Sequence, residues 1–88
     1  DFIIAMAKVS TPELQKYIGR KIMLNINGNR KVVGILKGYD IYMNVVVQNA
    51  LEVITSDTNG GEPNTVKMGK ETIIRGNSII SLEALENI

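Results

Sequence analysis

Tyr42, Asn44, Arg75, Gly76 and Asn77 are the residues in this chain best suited to hold a ligand. They fall in two short polar turns, and each turn follows an apolar stretch: Val33-Gly34-Ile35-Leu36-Lys37-Gly38-Tyr39-Asp40-Ile41-Tyr42-Met43-Asn44 and Ile74-Arg75-Gly76-Asn77-Ser78. The first turn supplies an aromatic ring and an amide. The second supplies a guanidinium, a permissive backbone and another amide. A ring and a planar cation can sandwich a flat unpaired base, and an amide can read its edge because it donates and accepts at once. If the first turn is extended, residues 42 and 44 share a face and can serve one nucleotide. Arg75 would stack and sit near phosphate. Gly76 would allow close backbone approach, and Asn77 would bond the base or shape the turn. Asp40 reads as support for these loops, either through the loop backbone or by pairing with Arg75.

Composition narrows the chemistry. The chain has 88 residues and neither cysteine nor histidine. Disulfides, thiolate metal sites, cysteine nucleophiles and imidazole bases are thereby excluded. No Walker loop, nucleophile elbow or paired-carboxylate motif appears, and Gly60-Gly61 has no Lys-Ser/Thr after it. The reading is therefore a binding module without cofactor or metal, not an enzyme. The longest mainly apolar run, Ile41 to Val47, is too short to span a bilayer, so no membrane partner is expected. Net charge is only +1, whereas a domain that binds nucleic acid alone usually carries a large basic excess. RNA binding by this chain therefore calls either for basic residues concentrated on one face or for several subunits that pool a few each. Arg30, Lys31, Lys37, Lys67 and Lys70 read as solvated surface, with Lys37 near enough to the first turn to approach phosphate.

Short elements must position the two turns. Ser10-Thr11-Pro12-Glu13 reads as a helix start, with Ser10 or Thr11 as cap and Pro12 in the first turn. Leu14, Tyr17 and Ile18 form one apolar stripe, and Gly19 ends the helix. Lys21 to Asn27 alternates, with Ile22, Leu24 and Ile26 on one face. Asn27-Gly28-Asn29 predicts a hairpin. Arg30 to Asp40 continues as a strand in which Gly34 and Gly38 imply a bend or a close crossing. Asn44 to Ile54 forms a third strand, with Val45, Val47, Leu51 and Val53 inward. Residues 55–64 read as a solvated hairpin tip. Val66 to Arg75 and Ser78 to Leu82 make two more strands, and residues 83–88 a frayed end. The predicted fold is mostly β: a short helix on a strongly bent five-stranded SH3-like barrel. Residues 1–9 are expected to be a disordered extension and 10–88 the domain, with Met6 a natural start. Such a barrel leaves edges on its last two strands, near Met68, Ile73, Ile79 and Ile80, that another chain can pair.

The two turn segments together resemble the bipartite motif of the Sm and Sm-like proteins. Gly34, Leu36, Gly38, Tyr39, Asp40, Tyr42, Met43 and Asn44 match its first half, and Ile74, Arg75, Gly76 and Asn77 its second. The likeness extends from about residue 12 to about residue 85 and includes Pro12-Glu13-Leu14-Gln15-Lys16-Tyr17 and Ser78-Ile79-Ile80-Ser81-Leu82-Glu83. It implies the Sm fold, with Tyr42, Asn44, Arg75, Gly76 and Asn77 contacting RNA and Asp40 and Gly38 supporting them. It further implies a nuclear ring subunit, with a cytoplasmic assembly stage, that acts in pre-mRNA splicing. The implied partners are the E and F subunits during assembly, E and a D-type subunit as ring neighbours, and U-rich sites on U1, U2, U4 and U5 RNAs. The alternative within the family is a Sm-like ring acting on U6 RNA or in mRNA decay. A peptide-binding SH3-like groove or an OB-fold would need more aromatics than Phe2, Tyr17, Tyr39 and Tyr42 supply.

Overall fold

The computed structural model describes residues 2–5, 11–54 and 64–85. The chain runs β1 (Phe2–Ala5), α1 (Thr11–Gln15), β2 (Lys21–Ile26), β3 (Arg30–Tyr39), β4 (Val45–Ile54), β5 (Asn64–Ile74), a 3₁₀ turn (Gly76–Ser78) and β6 (Ile79–Ala84). One antiparallel sheet joins all the strands in the order β1-β6-β2-β3-β4-β5. The expected helix and five bent strands are present as α1 and β2 to β6. β1 is a sixth strand, so the expectation of disorder over residues 1–9 does not hold for Phe2–Ala5. β6 continues to Ala84, which is buried, so the expectation of a frayed end from residue 83 does not hold for residues 83 and 84. The cap expected of Ser10 or the Thr11 hydroxyl, and residues 55–63 of the expected hairpin tip, lie outside the described residues.

α1 is a single turn of helix, after which the chain tightens into i→i−3 turns: the Tyr17 N–H donates to the Leu14 carbonyl at 2.9 Å. Gly19 ends the segment at φ +81°, and its N–H donates to the Leu36 carbonyl at 2.8 Å, docking the lid on β3. So short a helix depends on that docking and on its apolar stripe. Leu14 and Tyr17 are buried, and Ile18 packs against the core. The β2–β3 hairpin turns where expected, but its left-handed pair is Gly28 (φ +85°) and Asn29 (φ +59°), one position beyond Asn27-Gly28. Ile22 and Leu24 from β2, Val32 and Leu36 from β3, Val45 and Val47 from β4 and Leu82 from β6 make the centre of the core.

Bulges bend the sheet. The β3–β4 register slips between Val33 and Ile35 and again between Leu36 and Gly38. The β4–β5 register slips between Ala50 and Leu51, where Asn49 (φ +53°) and Gly69 (φ +116°) take left-handed conformations. An extra residue on one strand reverses the faces beyond it. Ala50 and Glu52 therefore turn inward, Leu51 outward and Val53 only half inward, which corrects the expected inward set of β4. At Gly34 a side chain would strike Val47 Cγ1 and lie 2.7 Å from the Gln48 carbonyl oxygen, so this glycine marks the expected close crossing. Gly38 sits at the second slip, where an added methyl group would meet nothing within 4 Å, so no strand crosses closely there.

Glu52 is a buried carboxylate on the inner face, 7% exposed, and it accepts a hydrogen bond from Arg30 Nε. That bond, with the Arg30 charge behind it, holds the Glu52 carboxyl below its ordinary value against the opposing effect of burial. A depressed carboxylate contributes stability above its unfolded pKa and loses it as pH falls through the folded one. The urea midpoint should accordingly stay level from pH 7 to about 5 and drop below about pH 4, where unfolded carboxylates begin to titrate. Glu52→Gln should lower the midpoint at pH 7 and flatten that acid limb; an unchanged limb would mean that Glu52 does not set the acid stability.

Candidate nucleic-acid interface

The first loop is built around Asp40. Its Oδ1 accepts from the backbone N–H of Tyr42 at 2.9 Å and of Asn44 at 3.0 Å, and its Oδ2 accepts from Asn44 Nδ2 at 2.9 Å. Two backbone bonds close the same loop: Asp40 N–H to the Asn44 carbonyl at 3.1 Å, and Met43 N–H to the Asp40 carbonyl at 3.0 Å. The Asn44 amide, together with the two backbone N–H groups, holds the Asp40 carboxyl below its ordinary value although some desolvation opposes them. Asp40 is thus an ionised hub that fixes loop backbone. It does so without Arg75. Arg30 forms an ion pair with Glu52 and Lys37 with Glu71. Lys37 is therefore matched with a carboxylate on β5.

Met43 is left-handed, at φ +63°, and its side chain packs against the core. The segment is curled rather than extended, so the alternation expected to align Tyr42 with Asn44 does not operate. The loop separates them by exposure instead. Tyr42 is 75% exposed, a free aromatic surface, whereas Asn44 is half-buried.

The second loop meets the first through Asn44. The Gly76 N–H donates to Asn44 Oδ1 at 2.9 Å. A side chain on Gly76 would lie 2.5 Å from the Tyr42 carbonyl oxygen and 2.7 Å from that of Met43. Gly76 is where the two backbones cross. The Ser78 N–H donates to the Arg75 carbonyl at 3.0 Å and shapes the 3₁₀ turn, leaving Arg75 and Asn77 exposed. Five of the anticipated residues, Tyr42, Asn44, Arg75, Gly76 and Asn77, thus belong to one joined pair of loops. Gly38 lies at the β3 bulge leading into them.

Asn44 retains capacity after these bonds. An amide has two N–H donors and two acceptor lone pairs. Asp40 takes one donor and Gly76 fills one lone pair, so one of each remains to meet the carbonyl and N–H edge of a uracil-like base. The sequence identifies the amide but not that it ties the two loops together.

A short helix on a strongly bent antiparallel sheet, with these two loops joined through Asn44 and Gly76, places the chain in a defined class: it belongs to the LSM-domain family, whose model matches residues 12–84. Its relatives are specific. The chain is 60% identical over 81 residues to the small nuclear ribonucleoprotein G of Saccharomyces cerevisiae, covering 91% of this chain and 99% of that protein. It is 41% identical over 83 residues to the small nuclear ribonucleoprotein G of Schizosaccharomyces pombe, covering 94% and 99%. Among solved structures, a heptameric archaeal Sm protein superposes with a TM-score of 0.69 at 24% identity, covering 85% of this chain and 98% of that one. The P. aerophilum SmAP1 heptamer gives 0.70 at 24% identity, covering 86% and 92%.

Proposed function

We propose that this chain is a structural, RNA-binding subunit of a mixed seven-membered Sm ring that holds U-rich single-stranded sites of spliceosomal small nuclear RNAs. The observation that carries the binding reading is the joined loop pair: an open Tyr42 ring beside an amide, held by Asp40 and Gly76, that retains a donor and an acceptor. The near full-length likeness to proteins named small nuclear ribonucleoprotein G favours the splicing ring over the Sm-like alternative. On this reading Tyr42 and Arg75 stack on a base, Asn44 and Asn77 meet its edge, and Gly76 brings the two backbones together. No catalytic step and no cofactor are assigned to the chain. Its place of action is the nucleus, after a cytoplasmic assembly stage.

The energetics favour an assembly over a lone subunit. Stacking of a base on an aromatic ring contributes roughly 1–3 kcal/mol, which alone gives at best weak, millimolar-class binding. Several such pockets around one strand gain through effective concentration. The net charge of +1 fits pooled rather than solitary RNA binding. Ring closure in this reading joins β5 of one subunit to the β6 edge of the next, a heterologous contact that repeats around an axis. β5 is suited to it: an edge strand with Val66 and Ile73 half or more exposed. The neighbours in the splicing ring are E and a D-type subunit, and E and F are the first partners.

Affinity purification of the native complex, with its proteins and RNAs identified, tests the assignment. Recovery of E, F and D-type subunits with U1, U2, U4 and U5 RNAs is expected. Recovery of Sm-like subunits with U6 RNA or decaying mRNA would move the chain to the alternative ring. Within the complex, Tyr42→Ala and Arg75→Ala should each weaken retention of a uridine-rich RNA by about tenfold, the scale of one lost stacking contact. Both side chains are exposed, so melting should change little. Undiminished retention by both variants would remove the sandwich.

A further inference from the structure

The β6 strand has partners on both sides. β2 pairs with one edge, placing Ile22 opposite Ala84, Met23 opposite Glu83, Leu24 opposite Leu82 and Asn25 opposite Ser81. β1 pairs with the other, placing Phe2 opposite Ala84, Ile3 opposite Glu83, Ile4 opposite Leu82 and Ala5 opposite Ser81. The edges of the described sheet are consequently β1 and β5, not β6 and β5. β1 also lies outside residues 12–84, the span matched by the family model.

We propose that Phe2–Ala5 is part of the mature chain, against the expected start at Met6, and is a built-in cover for the β6 edge, occupying the position a ring neighbour's β5 must take, so that assembly requires its release. This rests on the ring reading above. A strand edge can bond only one further strand at a given position, so β1 and an incoming β5 compete for the same backbone groups. The competition is unequal. β1 has 4 residues and β5 has 11. β1 also leaves Ile79 and Ile80 without a β1 partner, and Ile80 is 56% exposed. An incoming strand can pair first beside these two residues and then displace β1 toward Ala84. Until then the cover keeps a free apolar edge from templating self-association, a general hazard of open sheets.

The test compares the full chain, a chain lacking residues 1–5, and the full chain carrying I3P and I4P together. Adjacent residues of a strand direct their N–H groups to opposite sides, so the double substitution removes whichever donor faces β6. Deuterium exchange of residues 81–84 is followed in the isolated chain, and the rate of association is followed with purified E and F subunits. If the open form is about a tenth of the population or less, both variants should associate about tenfold faster or more. Their β6 amides should lose protection to a similar degree. Equal protection, or equal association rates in all three chains, overturns the cover and leaves the ring reading intact. Failure of all three to associate overturns the ring reading, and the cover with it.

Discussion

Gly34→Val should remove a large share of the chain's folding stability. The added Cβ would enter the space of Val47 Cγ1 and come within 2.7 Å of the Gln48 carbonyl oxygen and 3.3 Å of Ala50 Cα. Two of these obstacles are backbone of β4, which cannot rotate away as a side-chain tip can. Relief requires parting β3 from β4 beside the slip between Val33 and Ile35, in the middle of the buried core. Overpacking of this kind costs about 3 kcal/mol or more, a large share of the roughly 5–15 kcal/mol that holds a small domain together. Urea unfolding of the isolated chain measures it. A stability within about 0.5 kcal/mol of the parent, the range of neutral surface changes, would contradict the close crossing.

Asn44→Ala should damage both stability and RNA retention, unlike Tyr42→Ala. From sequence, Tyr42, Asn44 and Arg75 have equivalent expectations: alanine at each weakens RNA retention without unfolding the chain. The geometry separates Asn44 from the other two. Its amide donates to Asp40 at 2.9 Å and accepts from the part-buried Gly76 N–H at 2.9 Å. Removing it leaves that N–H without this acceptor and Asp40 Oδ2 without this donor. An unmet buried donor costs about 1–3 kcal/mol, and release of the second loop also disorders the ground beneath Arg75. RNA retention should therefore fall further than for Tyr42→Ala, and the melting temperature should fall with it. Normal melting with normal retention would mean that the Asn44 bridge does not organise the site.

Much of the fold is legible where one local rule decides the outcome. Gly19 ends the lid, Gly28 turns the first hairpin, and Ile22 and Leu24 alternate inward from β2. Legibility fails where a single backbone choice resets the pattern downstream. The β3–β4 slip gives β4 an extra residue between Gln48 and Leu51, beside the left-handed Asn49, and this moves Glu52 inward and Leu51 outward, although strict alternation predicts the reverse. The left-handed Met43 likewise curls a loop that reads as extended. β1 is hidden for a different reason: four apolar residues have no period of their own, and only the distant β6 edge gives them a partner.

The candidate site is legible in its residue types, because a ring, a guanidinium and amides are the groups that suit an unpaired base. Its wiring is not. Asp40 reads equally well as a partner of Arg75 or of loop backbone, and the geometry selects the backbone. The close approach at Gly76 is readable from its type, yet the amide it bonds belongs to a segment 32 positions earlier.

Photocrosslinking of the assembled ring to a uridine-rich RNA, with the attached peptides mapped by mass spectrometry, tests the central claim most directly. The loop pair predicts uridine adducts on this chain at Tyr42 and in the Arg75–Asn77 turn, and their loss in Tyr42→Ala. Rings that retain the RNA but attach it elsewhere on this subunit, or not to it at all, would contradict the site.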